Sequence, residues 1–265
     1  MSTDTRSLAE LSRLDGKVAV ITGAAQGIGF ALATRFSEAG AIVVIADIDL
    51  VAAERAAAML ESGGGRASGT RIDVAKEEDH IRVAEETAAT YGHLDIWVNN
   101  AGIFPTSLAL DMAGAEWHRV MAINVDGPFF GARSAARIMV RSGSGVILNI
   151  GSTSGFRASA DGRSHYVASK SAVVGLTKAL AREFGPHGIR VLSIAPVATI
   201  TPGATAVAES PDAVDKHFEA YSSVLPLRRV ATADDIAIVG VFCVSDQAGY
   251  LTGVTIPVDG GFLAV

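Results

Sequence analysis

The chain has 265 residues, 49% of them hydrophobic and 19% charged, a core-rich composition that excludes a disordered protein. Its formal charge of −6 argues against nucleic acid or an anionic membrane as the main partner. Cys243 is the only cysteine, so no intrachain disulfide can form. No run reaches about 18 apolar residues, which excludes a membrane-spanning helix. Residues 1–14 read as a polar arm without the apolar core of a signal peptide, so a cytoplasmic location is expected.

Taken in order, residues 17–22 (KVAVIT) form a short β-branched run that predicts a buried strand. The glycine-rich turn 23–29 (GAAQGIG) follows, then a helical pattern closed by Gly40. Residues 41–46 predict a second buried strand closed by Asp47, 49–60 a helix broken by three glycines, 66–72 a third strand, 76–91 an amphipathic helix and 94–98 a fourth strand. Residues 115–142 predict a long helix interrupted near Gly127-Pro128. A fifth strand is expected at 145–150, a helix at 164–184, a sixth strand at 189–195, a helix at 232–244 and a last strand at 254–258. Residues 196–227 carry four prolines and no clean periodicity; 197–227 read as a lid over a substrate, with 210–216 a solvated part of it. Strands alternating with helices predict an α/β fold: a doubly wound parallel sheet of about seven strands with helices on both faces, in one domain spanning 1–265.

A strand, a glycine turn and a helix start make an anion site. Gly23, Gly27 and Gly29 let the backbone approach a pyrophosphate, and the helix N-terminus presents unpaired N–H groups. Asp47 stands 18 residues after Gly29, where a carboxylate accepts hydrogen bonds from ribose hydroxyls and repels a 2′-phosphate. Two like charges at about 4 Å repel by ~1–4 kcal/mol. Position 26 is Gln, so no cation waits in the turn, and the expected cofactor is NAD rather than NADP. The competing reading makes Asp47 only the cap of the next helix.

Tyr166 and Lys170 are four apart, so on a helix they share one face, one turn apart. An ammonium beside a phenol favours the phenolate, drawing Tyr166 down from its ordinary ~10 toward the range of a general acid/base. Ser152, at the end of an apolar run, is placed to hydrogen-bond the same substrate oxygen.

Together, T-G-x-x-x-G-x-G at Thr22 to Gly29, Asn99-Asn100-Ala101-Gly102 and Tyr166-x-x-x-Lys170 resemble the short-chain dehydrogenase/reductase family, and the resemblance extends from Leu14 to Phe262. It implies a Rossmann-type fold and an oxidoreductase that interconverts a secondary alcohol and a ketone. It also implies roles for single residues. Tyr166 is the acid/base, Lys170 lowers its pKa and binds nicotinamide ribose, and Ser152 polarises the substrate oxygen. Asn124 helps hold a water chain to the lysine, and Asp73-Val74 holds the adenine. Gln26, Ile28, Asn100, Ala101, Gly102, Pro196, Thr199 and Thr201 would line the cofactor. A homotetramer and a small-molecule substrate are further implications. Two departures stand out: Val197 follows Pro196 where the family usually has glycine, and the Ser152–Tyr166 gap is about one residue longer than usual. Rival readings are an NADPH-dependent 3-oxoacyl thioester reductase and a non-catalytic nucleotide-binding scaffold.

Other reactive residues read as structural. The six histidines lack metal-ligand spacing, and no metal is expected. His165 reads as a rim residue and Cys243 as a core filler. Trp117 and Phe129 read as packing residues at a subunit contact.

Overall fold

A computed structural model describes residues 5–158, 160–205 and 211–265, without the side chains of 204, 211–215 and 217. Short helix α1 (Leu8–Leu11) lies within the amino-terminal arm, opened by a capping box between Ser7 and Glu10. Then follow β1 (Val18–Thr22), α2 (Gly27–Glu38), β2 (Ile42–Asp47), α3 (Leu50–Ser62), β3 (Arg66–Arg71), α4 (Glu77–Tyr91) and β4 (Ile96–Asn99). The chain continues through α5 (Gly114–Met121), a π-helical turn (Ala122–Asp126), α6 (Gly127–Ser142), β5 (Gly145–Ile150), α7 (Ser164–Phe184) and β6 (Ile189–Pro196). It closes with β7 (Thr199–Ile200), α8 (Pro202–Thr205), α9 (Pro211–Val224), β8 (Ala231–Thr232), α10 (Ala233–Val244) and β9 (Thr255–Val258).

Seven strands form one sheet in the order β3-β2-β1-β4-β5-β6-β9, every neighbouring pair parallel. Period-two alternation sorts its side chains to the two faces. Ile21, Ile45, Val98 and Leu148 share a cluster with Leu32 and Phe36 of α2 and Ile236 of α10. Val20, Val44, Trp97 and Ile147 share another with Val83 of α4, Ala132 of α6 and Leu180 of α7. Both faces being covered, the strands read as continuous apolar runs, as a doubly wound sheet requires. The chain winds one way through β1, β2 and β3 and the other way from β4, so the cleft opens beside the carboxyl ends of β1 and β4.

Three expectations take a different form. The interruption expected near Gly127-Pro128 is there, as a π-helical turn over Ala122–Asp126 and not as a break in the helix. Pro128 has no N–H for the Asn124 carbonyl four residues back, and the ladder widens just before it: Gly127 N–H bonds the Ala122 carbonyl, five residues back. The stretch 196–227 holds a two-stranded β7–β8 sheet and the 14-residue α9 with Pro211 at its start, where the missing N–H costs nothing. Ser210 lies outside the described residues, and 211–216 are helical in backbone. Among the described residues no helix is long and apolar enough to cross a membrane, and no cluster of His, Cys, Asp or Glu is disposed to hold a metal ion.

Candidate active site

A cleft of about 590 Å³ runs along the carboxyl edge of the sheet. At one end lies the glycine turn. Gly23 and Gly27 both have φ of +62°, which side-chain-bearing residues rarely adopt. A Cβ on Gly29 would stand 2.5 Å from the Gly23 carbonyl oxygen and from Asn100 Nδ2. Gly29 therefore does not line the cleft; its missing side chain lets α2 close on the turn. Asn100 ties the turn to β4 by donating from Nδ2 to the Thr22 and Gly23 carbonyls. No side chain caps α2 at Gln26, and Gly27 and Ile28 of its first turn line the cleft. A turn that no Cβ fills, over an uncapped helix start, fits a pyrophosphate.

Asp47 lines the cleft at the end of β2. Its carboxylate accepts from Ala25 N–H at 3.1 Å and Asp49 N–H at 3.2 Å. Asp49, not Asp47, caps α3, so the competing cap reading is corrected. Asp73 and Val74 line the next stretch beside Ile48 and Ile72, and Ala101 and Gly102 the floor. The cations lining the cleft are Arg119, Arg163 and Lys170, none of them on β2, β3 or the glycine turn.

At the other end Ser152, Tyr166 and Lys170 converge on the same cleft. Ser152 is buried and its Oγ accepts from Ser154 N–H at 3.1 Å, which leaves its own proton to donate. Lys170 donates from Nζ to the Ile150 carbonyl at 2.8 Å and lies 5.7 Å from the Tyr166 ring centroid. Burial lowers Lys170 to about 8. Burial also pushes the half-buried Tyr166 phenol above its ordinary value, with the Ser152 hydroxyl and the Arg163 charge pulling it back. This corrects the electrostatic expectation from sequence. Of the charges around it, that of Arg163 is the one that draws the phenol down.

Asn124 does not line the cleft. Within the π turn it is buried; its Oδ1 accepts from Ile103 N–H, and its Nδ2 donates to the Ile103 carbonyl and Ser169 Oγ. It ties the chain after β4 to α7. A buried relay does the same deeper in: Trp97 Nε1 donates to Asn99, Asn99 to Asn149, and Asn149 to Thr177 of α7. This holds α7, and with it Tyr166 and Lys170, against the ends of β4 and β5.

After β6, Pro196, Thr199 and Thr201 line the cleft, but the two threonines differ. Thr199 is buried and donates to the Val197 carbonyl at 2.8 Å. Thr201 stands across from Gly27, 3.5 Å from where a Cβ would be. Val197 turns inward and packs with Leu225 and Phe262.

His165 is not a rim residue. It is fully buried: Nδ1 accepts from Tyr166 N–H at 2.9 Å, which leaves the ring proton on Nε2, facing Glu116 Oε1 at 3.3 Å. Cys243 is a core residue, its thiol pushed up to about 11 by burial. Trp117 and Phe129 are each 36% exposed. Arg163 and Tyr221 line the cleft from the segments 156–165 and 197–227 expected to shape the substrate pocket, whereas Phe262 lines it unforeseen. Arg163 left a further signal, a cation three residues before Tyr166 at the start of the same helix.

The family described as enoyl-(acyl carrier protein) reductase matches residues 23–263. The chain belongs to the short-chain dehydrogenase/reductase family. It is an oxidoreductase of this family, whose members bind a nicotinamide cofactor. It is 41% identical to tropinone reductase-like 2 of Erythroxylum coca over 260 residues, covering 96% of this chain and 92% of that one. It is 36% identical to D-threitol dehydrogenase of Mycolicibacterium smegmatis over 250 residues, 94% of each. A gluconate 5-dehydrogenase from Burkholderia cenocepacia, solved with NADP and tartrate, superimposes with a TM-score of 0.91 at 31% identity, over 98% of this chain and 100% of that one.

Proposed function

We propose that this short-chain dehydrogenase/reductase is NAD(H)-dependent and interconverts a secondary alcohol and a ketone. One observation carries the reading: Ser152, Tyr166 and Lys170 meet at one end of a single cleft whose other end is the glycine turn with Asp47. Gly23, Gln26, Gly27 and Ile28 would hold the diphosphate, Asp73 and Val74 the adenine, and Asn100, Ala101 and Gly102 the middle of the dinucleotide. Thr201, opposite Gly27, suits the diphosphate, and Pro196 and Thr199 would border the nicotinamide. The bound nicotinamide supplies the hydride acceptor or donor.

The protein's part is to orient the substrate and move a proton. Ser152 donates a hydrogen bond to the substrate oxygen. Tyr166 takes the alcohol proton during oxidation and returns it during reduction. Lys170, held by the Ile150 carbonyl, reaches the nicotinamide ribose hydroxyls. Asn124 fixes the chain after β4 against α7 and borders the route by which protons leave. The pinned Asp47 carboxylate, with no cation near it on the cleft wall, supports NAD over NADP. The whole chain acts as one domain, the described parts of the 197–227 stretch (197–205 and 211–227) close over the substrate, and the assembly is a homotetramer using the half-exposed Trp117 and Phe129.

The deciding experiment follows reduced-nicotinamide absorbance with NAD⁺ beside NADP⁺ over a panel of secondary alcohols. Turnover with NAD⁺ preferred is expected. A strong preference for NADP⁺ would overturn the Asp47 assignment and bring forward the biosynthetic thioester reductase.

A further inference from the structure

Arg163 lies within the catalytic end of the cleft and lacks a carboxylate partner among the described residues. Several other arginines have one. Arg35 pairs with Asp234 and Glu38, Arg82 with Glu86, Arg133 with Glu77 and Arg229 with Asp235. Arg163 is instead half-buried among aromatic rings. Its guanidinium carbon sits 5.8 Å from the Phe104 ring centroid, and that ring meets Tyr166 edge to face at 6.2 Å. Nη1 donates to the Phe104 carbonyl, and the adjoining loop is fixed by Ser107 N–H on the Gly162 carbonyl at 2.9 Å. The guanidinium is thus held in place with Nε and Nη2 still able to donate.

A partly desolvated guanidinium without a counter-ion is costly unless something pairs with it. A planar carboxylate answers its fork geometry, and the apolar surroundings of Phe104, Val197 and Phe262 strengthen such a pair. The carboxylates on the cleft wall cannot serve. Asp47 and Asp73 follow β2 and β3, three and four strand spacings from β5, or roughly 14 and 19 Å. Residues three apart at a helix start stand about 5–6 Å apart at Cβ. Arg163 and Tyr166 both contact the Phe104 ring and line the same cleft as Ser152, so one small molecule can present an anion to Arg163 and an oxygen to Tyr166 and Ser152.

We propose that Arg163 binds a carboxylate of the substrate, so that the enzyme acts on 2- or 3-hydroxy acids and the matching oxo acids. The inference rests on the reading of Ser152 and Tyr166 as the reacting end. In oxidation the carbinol C–H leaves as hydride to NAD⁺, the O–H proton goes to Tyr166, and the hydroxy acid becomes the oxo acid; the carboxylate is unchanged.

The test pairs acids with their amides, malate with malamide and 3-hydroxybutyrate with 3-hydroxybutyramide, using the full chain and NAD⁺. At least one acid is expected to exceed its amide in kcat/KM by about 10- to 100-fold, the range of a charge-assisted pair. In Arg163→Met that ratio should fall toward one, mainly through KM, with Arg163→Lys intermediate and serving as the variant that keeps the charge. An amide preferred to its acid, a ratio unchanged in Arg163→Met, or a ratio lost instead in Arg119→Gln would overturn the proposal. If no pair turns over, binding of malonate beside malonamide with NADH present decides by calorimetry. Malonate bound by wild type and Tyr166→Phe but not by Arg163→Met supports the site, and no malonate binding to wild type overturns it. The two readings fail separately. Turnover that survives Tyr166→Phe sinks the acid/base assignment, whereas Tyr166-dependent turnover of neutral alcohols alone sinks only the anion site.

Discussion

At the β1–β2 end of the cleft the working surface is backbone, while at the β5–α7 end it is side chain. The first end depends on what is missing: two glycines at φ of +62°, a third without room for a Cβ, and a helix start without a cap. Its carboxylate facing the ribose position, Asp47, is pinned by two backbone N–H groups. The second end depends on polar side chains gathered into a buried place, where burial moves Lys170 and Tyr166 away from their charged forms. The first end pre-forms a shape, and the second holds reactive groups against their solvation preference. The ends should therefore fail differently when altered.

The largest effect is expected at the second end. Tyr166→Phe should lower kcat by roughly 10²- to 10⁴-fold while the melting temperature and dinucleotide affinity hold, as read by steady-state kinetics beside thermal melts. At the first end Gly29→Ala forces a Cβ against the Gly23 carbonyl, and should cost about 1–3 kcal/mol of stability and weaken dinucleotide binding. Unchanged melting there would mean the turn is not as tightly closed as the contacts indicate.

Asp47→Asn keeps an acceptor for Ala25 N–H but removes the charge. Specificity should move toward NADP⁺ by about tenfold, with little change in kcat on NAD⁺. A constant ratio of the two cofactors would separate Asp47 from cofactor choice.

The smallest effect runs against intuition. Lys170 titrates near 8 in the folded chain and near 10.5 when unfolded, so between those values the unfolded chain binds more protons and stability rises with pH. Below about 8 the full cost of the buried ammonium is present. Lys170→Met should therefore abolish turnover yet melt about 1–2 kcal/mol more stably at pH 7, after allowing for the lost bond to the Ile150 carbonyl. The advantage should shrink as melts approach pH 10. A less stable variant at pH 7 would mean the lysine's packing outweighs its desolvation.

The sequence by itself determined the alternation of strands and helices, the glycine turn and the positions of Ser152, Tyr166 and Lys170, because each is a local requirement. A buried strand needs a β-branched run, a tight turn needs glycine, and i, i+4 spacing puts two side chains on one helix face. Local reasoning missed α9, whose periodicity is hidden among prolines. It misread His165, because the Glu116 it faces is distant in the chain.

Tertiary structure alone decided the rest. It gathered Phe104, Arg163, Tyr221 and Phe262 from distant segments into one pocket. It gave the cap of α3 to Asp49 and left Asp47 facing the cleft. It also reversed the expected electrostatics of the Tyr166–Lys170 pair. Spacing says that two groups can meet, but burial sets whether either keeps its charge, and burial is a property of everything packed around them.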